Sequence, residues 1–164
     1  YNISFASITW EECTLRQWMN DEFYNRAFIE SEKKHILTSY LENADNSEYG
    51  TEGGNDTEDK VFALSLEEAG QYFGIPSEWG DCWATASPEL SAAKVTAYAA
   101  AQEMWVVSIY ESSAGNGDWW LRSPGSSNNS AASVDLDGEV YVYGDRVDIV
   151  NNATRPVLWL ELNP

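Results

Sequence analysis

Two apolar motifs bracket a polar stretch of period two near the C-terminus, and that pattern restricts the fold more than any other feature. Asp118-Trp119-Trp120-Leu121-Arg122-Ser123-Pro124-Gly125 opens the stretch and Thr154-Arg155-Pro156-Val157-Leu158-Trp159-Leu160 closes it. Between them, Val134, Val140, Val142, Val147 and Val150 interleave with Asp135, Asp137, Tyr141, Tyr143, Asp145, Asp148, Asn151 and Asn152. Strand side chains alternate between the two faces of a sheet, so the pattern predicts antiparallel strands with one face buried and one displayed. The predicted strands cover 119–122, 131–136, 139–143, 146–150 and 156–162. Asp137-Gly138 supplies a two-residue hairpin signal, and Gly144-Asp145 supplies the next turn.

The first half follows a different period. Thr14 is a candidate N-cap in a helix over 9–20, where Leu15, Trp18 and Met19 fall on one face. Phe23, Tyr24 and Phe28 extend that face. Ser31 precedes a short helix over 32–36, with acid early and base late, as the macrodipole favours. Residues 37–41 alternate like a strand, 44–59 lack any hydrophobic period and read as a long loop, and 60–64 read as a second strand. Ser65 with Glu68 forms a capping box for a helix running to about Phe73, with Gly74 at its end and Pro76 beyond. Residues 75–88 are irregular, 92–103 have helical propensity, 104–110 fit a strand and 112–117 a turn. Helices first and antiparallel strands after give an α+β fold class, with two or three N-terminal helices packed on a C-terminal antiparallel sheet. No internal repeat divides residues 1–164, so one domain is expected.

The net charge of −18 comes from 27 acidic against 9 basic residues. Such a surface repels phosphate backbones and anionic headgroups, which argues against nucleic acid and membrane surfaces as partners. No apolar run is long enough to span a bilayer, so no direct membrane insertion is expected in this segment. The chain starts at Tyr1 and ends at Pro164 after a strand-like run, the reading expected of a domain from a longer protein. Cys13 and Cys82 belong to neither a C-x-x-C pair nor a Cys/His cluster, which disfavours zinc and redox chemistry. Joined, they would close a loop of about 70 residues, worth on the order of 4 kcal/mol. Sequence alone does not show whether they meet.

Catalytic machinery is hard to assemble. The one histidine, His35, follows Lys33 and Lys34 in a charged helix and reads as a surface residue. There is no G-x-S-x-G elbow, no H-E-x-x-H and no phosphate-cradling G-x-x-x-x-G-K-[ST]. Residues 45–56 loosely imitate a calcium loop, with Asp45, Ser47 and Gly50 in place, but Tyr49 and Asp56 occupy ligand positions poorly. No cofactor is therefore expected, with calcium the one candidate. Arg122 and Arg155 are each the single base of an apolar motif. Such an arginine forks onto a carboxylate or carbonyls and fixes a strand end, or else grips an acidic ligand.

Recognition is read instead from the bracketed stretch. Ser126, Ser127, Asn128, Asn129 and Ser130 form a predicted flexible tip. Together with Ser133, Asp135, Asp137, Tyr141, Tyr143, Asp145, Asp148, Asn151 and Asn152 they make the candidate ligand-binding set. Tyrosine rings give contact area at low entropic cost, and Ser, Asn and Asp give adaptable hydrogen bonds, as in paratopes. Trp119, Trp120, Arg122, Arg155 and Trp159 are the predicted framework beneath it. An ordinary solvated sheet face is the alternative.

The chain resembles an uncharacterised bacterial, mostly surface-associated domain family with the motifs T-W-E-x-C/S-T-L-R-x-W-L-N, F-Y-x-x-A-F, T-x-D-K-V-F-L-L-S, W-W-L-R-S-P-G and R-P-A-L-W. The matching residues are Thr9-Trp10-Glu11, Cys13-Thr14-Leu15-Arg16, Trp18-Met19-Asn20, Phe23-Tyr24, Ala27-Phe28, Thr57, Asp59-Lys60-Val61-Phe62, Leu64-Ser65 and the two C-terminal motifs. Ser also occurs in the family at the Cys13 position, which disfavours a disulfide there. The C-terminal motifs are also similar to the C-type-lectin-like fold of formylglycine-generating enzymes and of diversity-generating retroelement variable proteins. The second likeness implies a non-enzymatic binding domain in which Asn codons, rewritten at adenines, yield the Asn, Ser, Asp, Gly and Tyr crowding 126–152. Glu139 departs from that rule, since an Asn codon altered only at adenines cannot encode Glu. Family members also carry a further strand region before the position of Tyr1. The formylglycine branch implies oxidase chemistry from a C-terminal cysteine pair, which this chain lacks. What the resemblance implies is an extracellular or cell-surface domain of bacterial or phage origin. Its partner would be a protein or glycan ligand on another cell, phage or host surface. A carboxylate- or calcium-dependent enzyme, or a structural module of a surface protein, is the alternative.

Overall fold

The computed structural model describes residues 1–74, 83–84, 88–101 and 115–162, and these form a mixed α+β structure. The C-terminal alternation becomes a meander of β4 (Trp119–Pro124), β5 (Ser130–Val134) and β6 (Val140–Arg146). β3 (Trp83–Ala84) pairs antiparallel with β6, and β7 (Ala153–Thr154) adds to β4 in parallel. Among the described residues this sheet has five strands in the order β3-β6-β5-β4-β7. A second sheet pairs β1 (Ser39–Leu41) with β2 (Thr57–Asp59).

The N-terminal helical run starts at α1 (Thr14–Trp18), passes through a π-helical turn at Met19–Phe23, and ends as α2 (Tyr24–Ala27). Its N-cap is Cys13, one residue before the predicted Thr14, with the Sγ accepting from the Arg16 N–H. The wider π-helical turn places Met19 and Tyr24, five residues apart, both in the interior. Next comes α3 (Glu30–Lys33), which starts two residues before the predicted helix because the Glu32 carboxylate accepts from the Ile29 N–H. The capping box at Ser65 and Glu68 forms as expected and starts α4 (Leu66–Phe73), and Gly74 ends it in the left-handed conformation. Among the described residues of 92–103, α6 (Ala97–Ala101) is helical, and α5 (Pro88–Ser91) precedes it. The strand expected at 104–110, and Cys82, lie outside the described residues.

Helix α4 packs Leu66, Ala69 and Phe73 on one face of the large sheet, against Trp119, Leu121, Ala132, Val134, Val140 and Val142. The opposite face presents Trp120 and Ala131, and the N-terminal segment covers it with Tyr1, Trp10, Cys13, Met19, Val61 and Phe62. Both faces of β4 and β5 are therefore buried, and only β6 keeps the alternation of hidden valines and displayed polar residues. That corrects the expectation of a single open face along the whole stretch. The reason is main-chain docking of the N-terminal segment, with Asn2 N–H donating to Val147 O and Ile8 N–H to Asn128 O.

Both neighbours of β5 are bulged. Between the pairs Trp120–Ser133 and Pro124–Ala131, four steps on β4 face two on β5; between Tyr141–Ser133 and Asp145–Ala131, four steps on β6 face the same two. An even excess preserves facing, so Tyr141, Tyr143 and Asp145 stay on one side. Gly144 makes the β6 bulge at φ 79°, where a Cβ would lie 2.4 Å from the Ala131 carbonyl oxygen. The turn expected at Gly144-Asp145 is thus a bulge within a continuing strand, and the strand expected at 146–150 is lost.

The freed bulge carbonyls converge on one side chain. Asn46, 1% exposed, directs its Nδ2 to Pro124 O (2.9 Å), Gly125 O (3.3 Å) and Val142 O (3.1 Å). Arg122, 4% exposed, forks onto both Glu68 oxygens and also donates to Ala63 O and Glu42 O. Glu68 Oε2 is at the same time the capping-box acceptor for Ser65 N–H, so one carboxylate ties α4 to β4. Asp59, 2% exposed, accepts from Trp10 Nε1, Arg16 Nε and Thr57 Oγ1. This links β2 to the N-terminal motif.

Residues 60–64 and 156–162 are not strands; they meet in the single bridge Phe62–Val157, and Ile36–Leu160 is another. Trp159 is 50% exposed rather than buried framework, and among the described residues no ladder carries the chain back onto the sheet beyond Thr154. Cys13 is a free, fully buried thiol, and burial pushes its pKa up to about 11.

Candidate functional site

The valines of β6 turn inward, which sends Tyr141 and Tyr143 to the other face. Their rings stack with centroids 5.9 Å apart at 28°. Tyr49, from the loop that Asn46 anchors, meets Tyr143 edge-on at 5.7 Å and 86°. Tyr143 is 48% and Tyr49 40% exposed. Further along the same strand, Asp145 Oδ2 accepts from Ser133 Oγ at 2.8 Å and from Asn152 Nδ2 at 2.9 Å. The structure therefore brings Ser133, Tyr141, Tyr143, Asp145 and Asn152 together across β5, β6 and the segment entering β7.

The remaining candidates sit at two ends of this group. Residues 126–129 lie in the β4–β5 connection and Ser130 opens β5, and the predicted flexible tip is a hydrogen-bonded turn. Ser130 Oγ donates to Ser127 O, Ser127 N–H donates to Ser130 Oγ, and the carbonyls of Asn128 and Asn129 hold Ile8 and Val147. Ser127 and Asn128 are exposed and Ser126 and Asn129 partly so. Ser130 and Ser133 are buried, so they support the surface without forming it. At the opposite end of β5, Asp135 closes the hairpin by accepting from the Asp137 and Glu139 N–H groups. Gly138, at φ 87°, donates to Asp135 O, which makes a three-residue loop in place of the expected two. Asp148 forks onto Arg146, whose guanidinium lies 4.4 Å from the Phe5 ring centroid. Asn151 is half-buried beside Asn152.

In the framework, Trp119 and Trp120 are buried and Trp119 Nε1 donates to Ser91 O. Arg155 is exposed, donates to Leu90 O, and rests its guanidinium over Phe73 and Trp119. Both arginines thus use carbonyls, a carboxylate or rings of the protein itself.

Asp118 borders this face two residues before Trp120. Burial, aided by Asp135, Asp145 and Asp137, pushes its pKa up to about 6, and its Oδ1 is buried with no hydrogen-bond partner among the described residues. Desolvation raises Asp135 as well. In the unfolded chain Asp118 loses its proton near 3.8, whereas the folded protein holds it to about 6. Its contribution to stability therefore falls as pH rises through that window and is constant above it. Asp118→Asn is expected to be about 1 kcal/mol more stable than wild type at pH 7, after discounting for partial exposure, and no more stable at pH 3.5. Urea unfolding at the two pH values checks this.

Sequence reasoning missed Tyr49 and Asn46, because an aperiodic loop gives no sign of what it packs against. It also missed a cleft of about 790 Å³ lined by Tyr40, Glu42, Asp45, Glu67, Glu68 and Arg122 among others. The calcium-like loop spends its carboxylates locally: Asp45 accepts from Gly53 N–H, and Asp56 from Asn43 N–H and the Tyr40 hydroxyl. Among the described residues no group of three or more His, Cys, Asp or Glu could hold a metal, and no helix is long and apolar enough to cross a membrane. No curated protein and no solved structure matches this chain. Residues 1–162 match a family described only as a domain of unknown function, and the chain belongs to that family, DUF6273.

Proposed function

We propose that this chain is a non-enzymatic recognition domain with a C-type-lectin-like fold. Its ligand-binding surface would run over the exposed members of 126–152, joined by Tyr49. The observation that carries the reading is the packed group of Tyr49, Tyr143 and Tyr141 beside the Ser133–Asp145–Asn152 hydrogen bonds. Two half-exposed rings, stiffened by their neighbours, offer contact area with little entropy left to lose on binding. The flanking Asp and Asn groups offer hydrogen bonds, and the buried framework keeps the display rigid. The domain would belong to a longer bacterial or phage-encoded protein at a cell surface, adhering to a protein or glycan on another cell, phage or host. Its variable residues would be products of a diversity-generating retroelement, with Glu139 an unvaried position.

The double variant Tyr141→Ala/Tyr143→Ala is expected to keep a cooperative melting transition while adhesion falls at least about tenfold. Unchanged adhesion would favour a purely structural module. The retroelement part has its own check: a near-duplicate of the 126–152 coding segment beside a reverse transcriptase gene. Without both, that part fails.

A further inference from the structure

We propose that the Tyr143 face binds a lysine- or arginine-bearing segment of a partner protein, an inference that rests on the recognition surface described above. The π faces of tyrosine carry negative potential and attract ammonium and guanidinium groups. Here, Tyr143 is 48% exposed, and Tyr141 and Tyr49 hold its ring in parallel and edge-on contact. The two chain segments that carry the face are mostly acidic. From His35 to Asp59 the sequence holds seven carboxylates and no Lys or Arg, and from Ser123 to Thr154 it holds five against the single Arg146. Arg146 is already engaged by Asp148 and the Phe5 ring. Glu48 and Glu52 flank Tyr49 in sequence and are exposed, and Asp145 follows Tyr143 on the same face of β6.

The protein's own bases show that this chemistry is available to it, with Lys33 and Lys60 over Tyr24 and Arg155 over Phe73 and Trp119. A net charge of −18 draws a basic segment from a distance and repels an acidic one, while giving a neutral glycan no such advantage. Charge complementarity therefore selects the basic protein segment among possible occupants.

The test is titration of the whole chain with an octalysine peptide, followed by amide chemical shifts, with octaglutamate and a neutral oligosaccharide run in parallel. Octalysine is expected to shift resonances around Tyr49, Tyr143 and Asp145 and to lose affinity as salt rises from 50 to 300 mM, values chosen around one Debye length of about 10 Å. Tyr143→Leu should weaken it about fivefold, whereas Tyr143→Phe, which keeps the ring, stays within about twofold. Equal binding by wild type and Tyr143→Leu would overturn the proposal, since attraction would then come from diffuse charge. Oligosaccharide binding at this face without octalysine binding would also overturn it. In that case the recognition surface would stand if the Tyr141/Tyr143 double variant still lost adhesion, and both would fall if adhesion were unchanged.

Discussion

Arg122→Met is expected to lower the unfolding free energy by about 4 kcal/mol, the largest single effect foreseen in this protein. The methionine keeps much of the length and apolar packing, so the loss isolates the guanidinium. That group holds both oxygens of Glu68 and donates to the carbonyls of Ala63 and Glu42. Removing it leaves the core carbonyl of Ala63 without that donor, at about 1–3 kcal/mol, whereas the carbonyl of exposed Glu42 regains water. Glu68 itself is 28% exposed and recovers some hydration, which keeps the total below a simple sum. Lys is a poor replacement, because a point charge cannot fork onto a carboxylate while reaching two carbonyls. Arg122→Met/Glu68→Leu should regain part of the loss, since neither half of the pair then remains alone. Urea denaturation of the four proteins in the cycle measures it.

The second large effect belongs to Asn46. Asn46→Asp preserves shape while replacing the donor with a group that faces three carbonyl oxygens. A cost of about 3 kcal/mol or more is expected at pH 7, becoming smaller in acid as the carboxyl takes up a proton and regains one donor. Asn46→Ala should cost about as much, through the unsatisfied carbonyls of the two bulges. Both variants should also loosen Tyr49 from Tyr143, because Asn46 is what anchors that loop to the sheet. If urea midpoints were the same in wild type and Asn46→Asp, the account of the paired bulges would be wrong.

These two residues also show what the sequence can and cannot reveal. Arg122 was legible, since a lone base between Trp120 and Pro124 was expected to fork onto a carboxylate or carbonyls, with an acidic ligand as the alternative. Its partner was nearly legible too, as Glu68 already stood out at the third position of a capping box. Asn46 was invisible, because its role depends on bulges that displace β4 and β6 by two residues against β5. Binary patterning reports which face a residue takes, and a two-residue excess leaves faces unchanged. The same limit explains the misread end of the chain. Gly144 looked like a turn because glycine supports both turns and bulges, and only the approach of Ala131 O decides between them.

The candidate surface was legible in part. Alternation correctly separated Tyr141 and Tyr143 from the buried valines of β6. It overestimated Ser130 and Ser133, which hydrogen bond within the protein, since Ser is equally at home on a surface and in a satisfied interior position. Tyr49 joins the group from about 90 positions upstream, a separation no local period encodes. Exposed Trp159, read as buried, shows the converse error, in which aromatic composition is taken for packing.

Hydroxyl-radical footprinting of the domain, free and on the kind of cell surface it is proposed to adhere to, tests the assignment of this face most directly. Tyr143 and Tyr49 are expected to be oxidised readily in the free domain and protected on adhesion, with Tyr72, Tyr98 and Trp159 unchanged. Protection at Tyr40, which lines the 790 Å³ cleft, with Tyr143 still reactive, would contradict it.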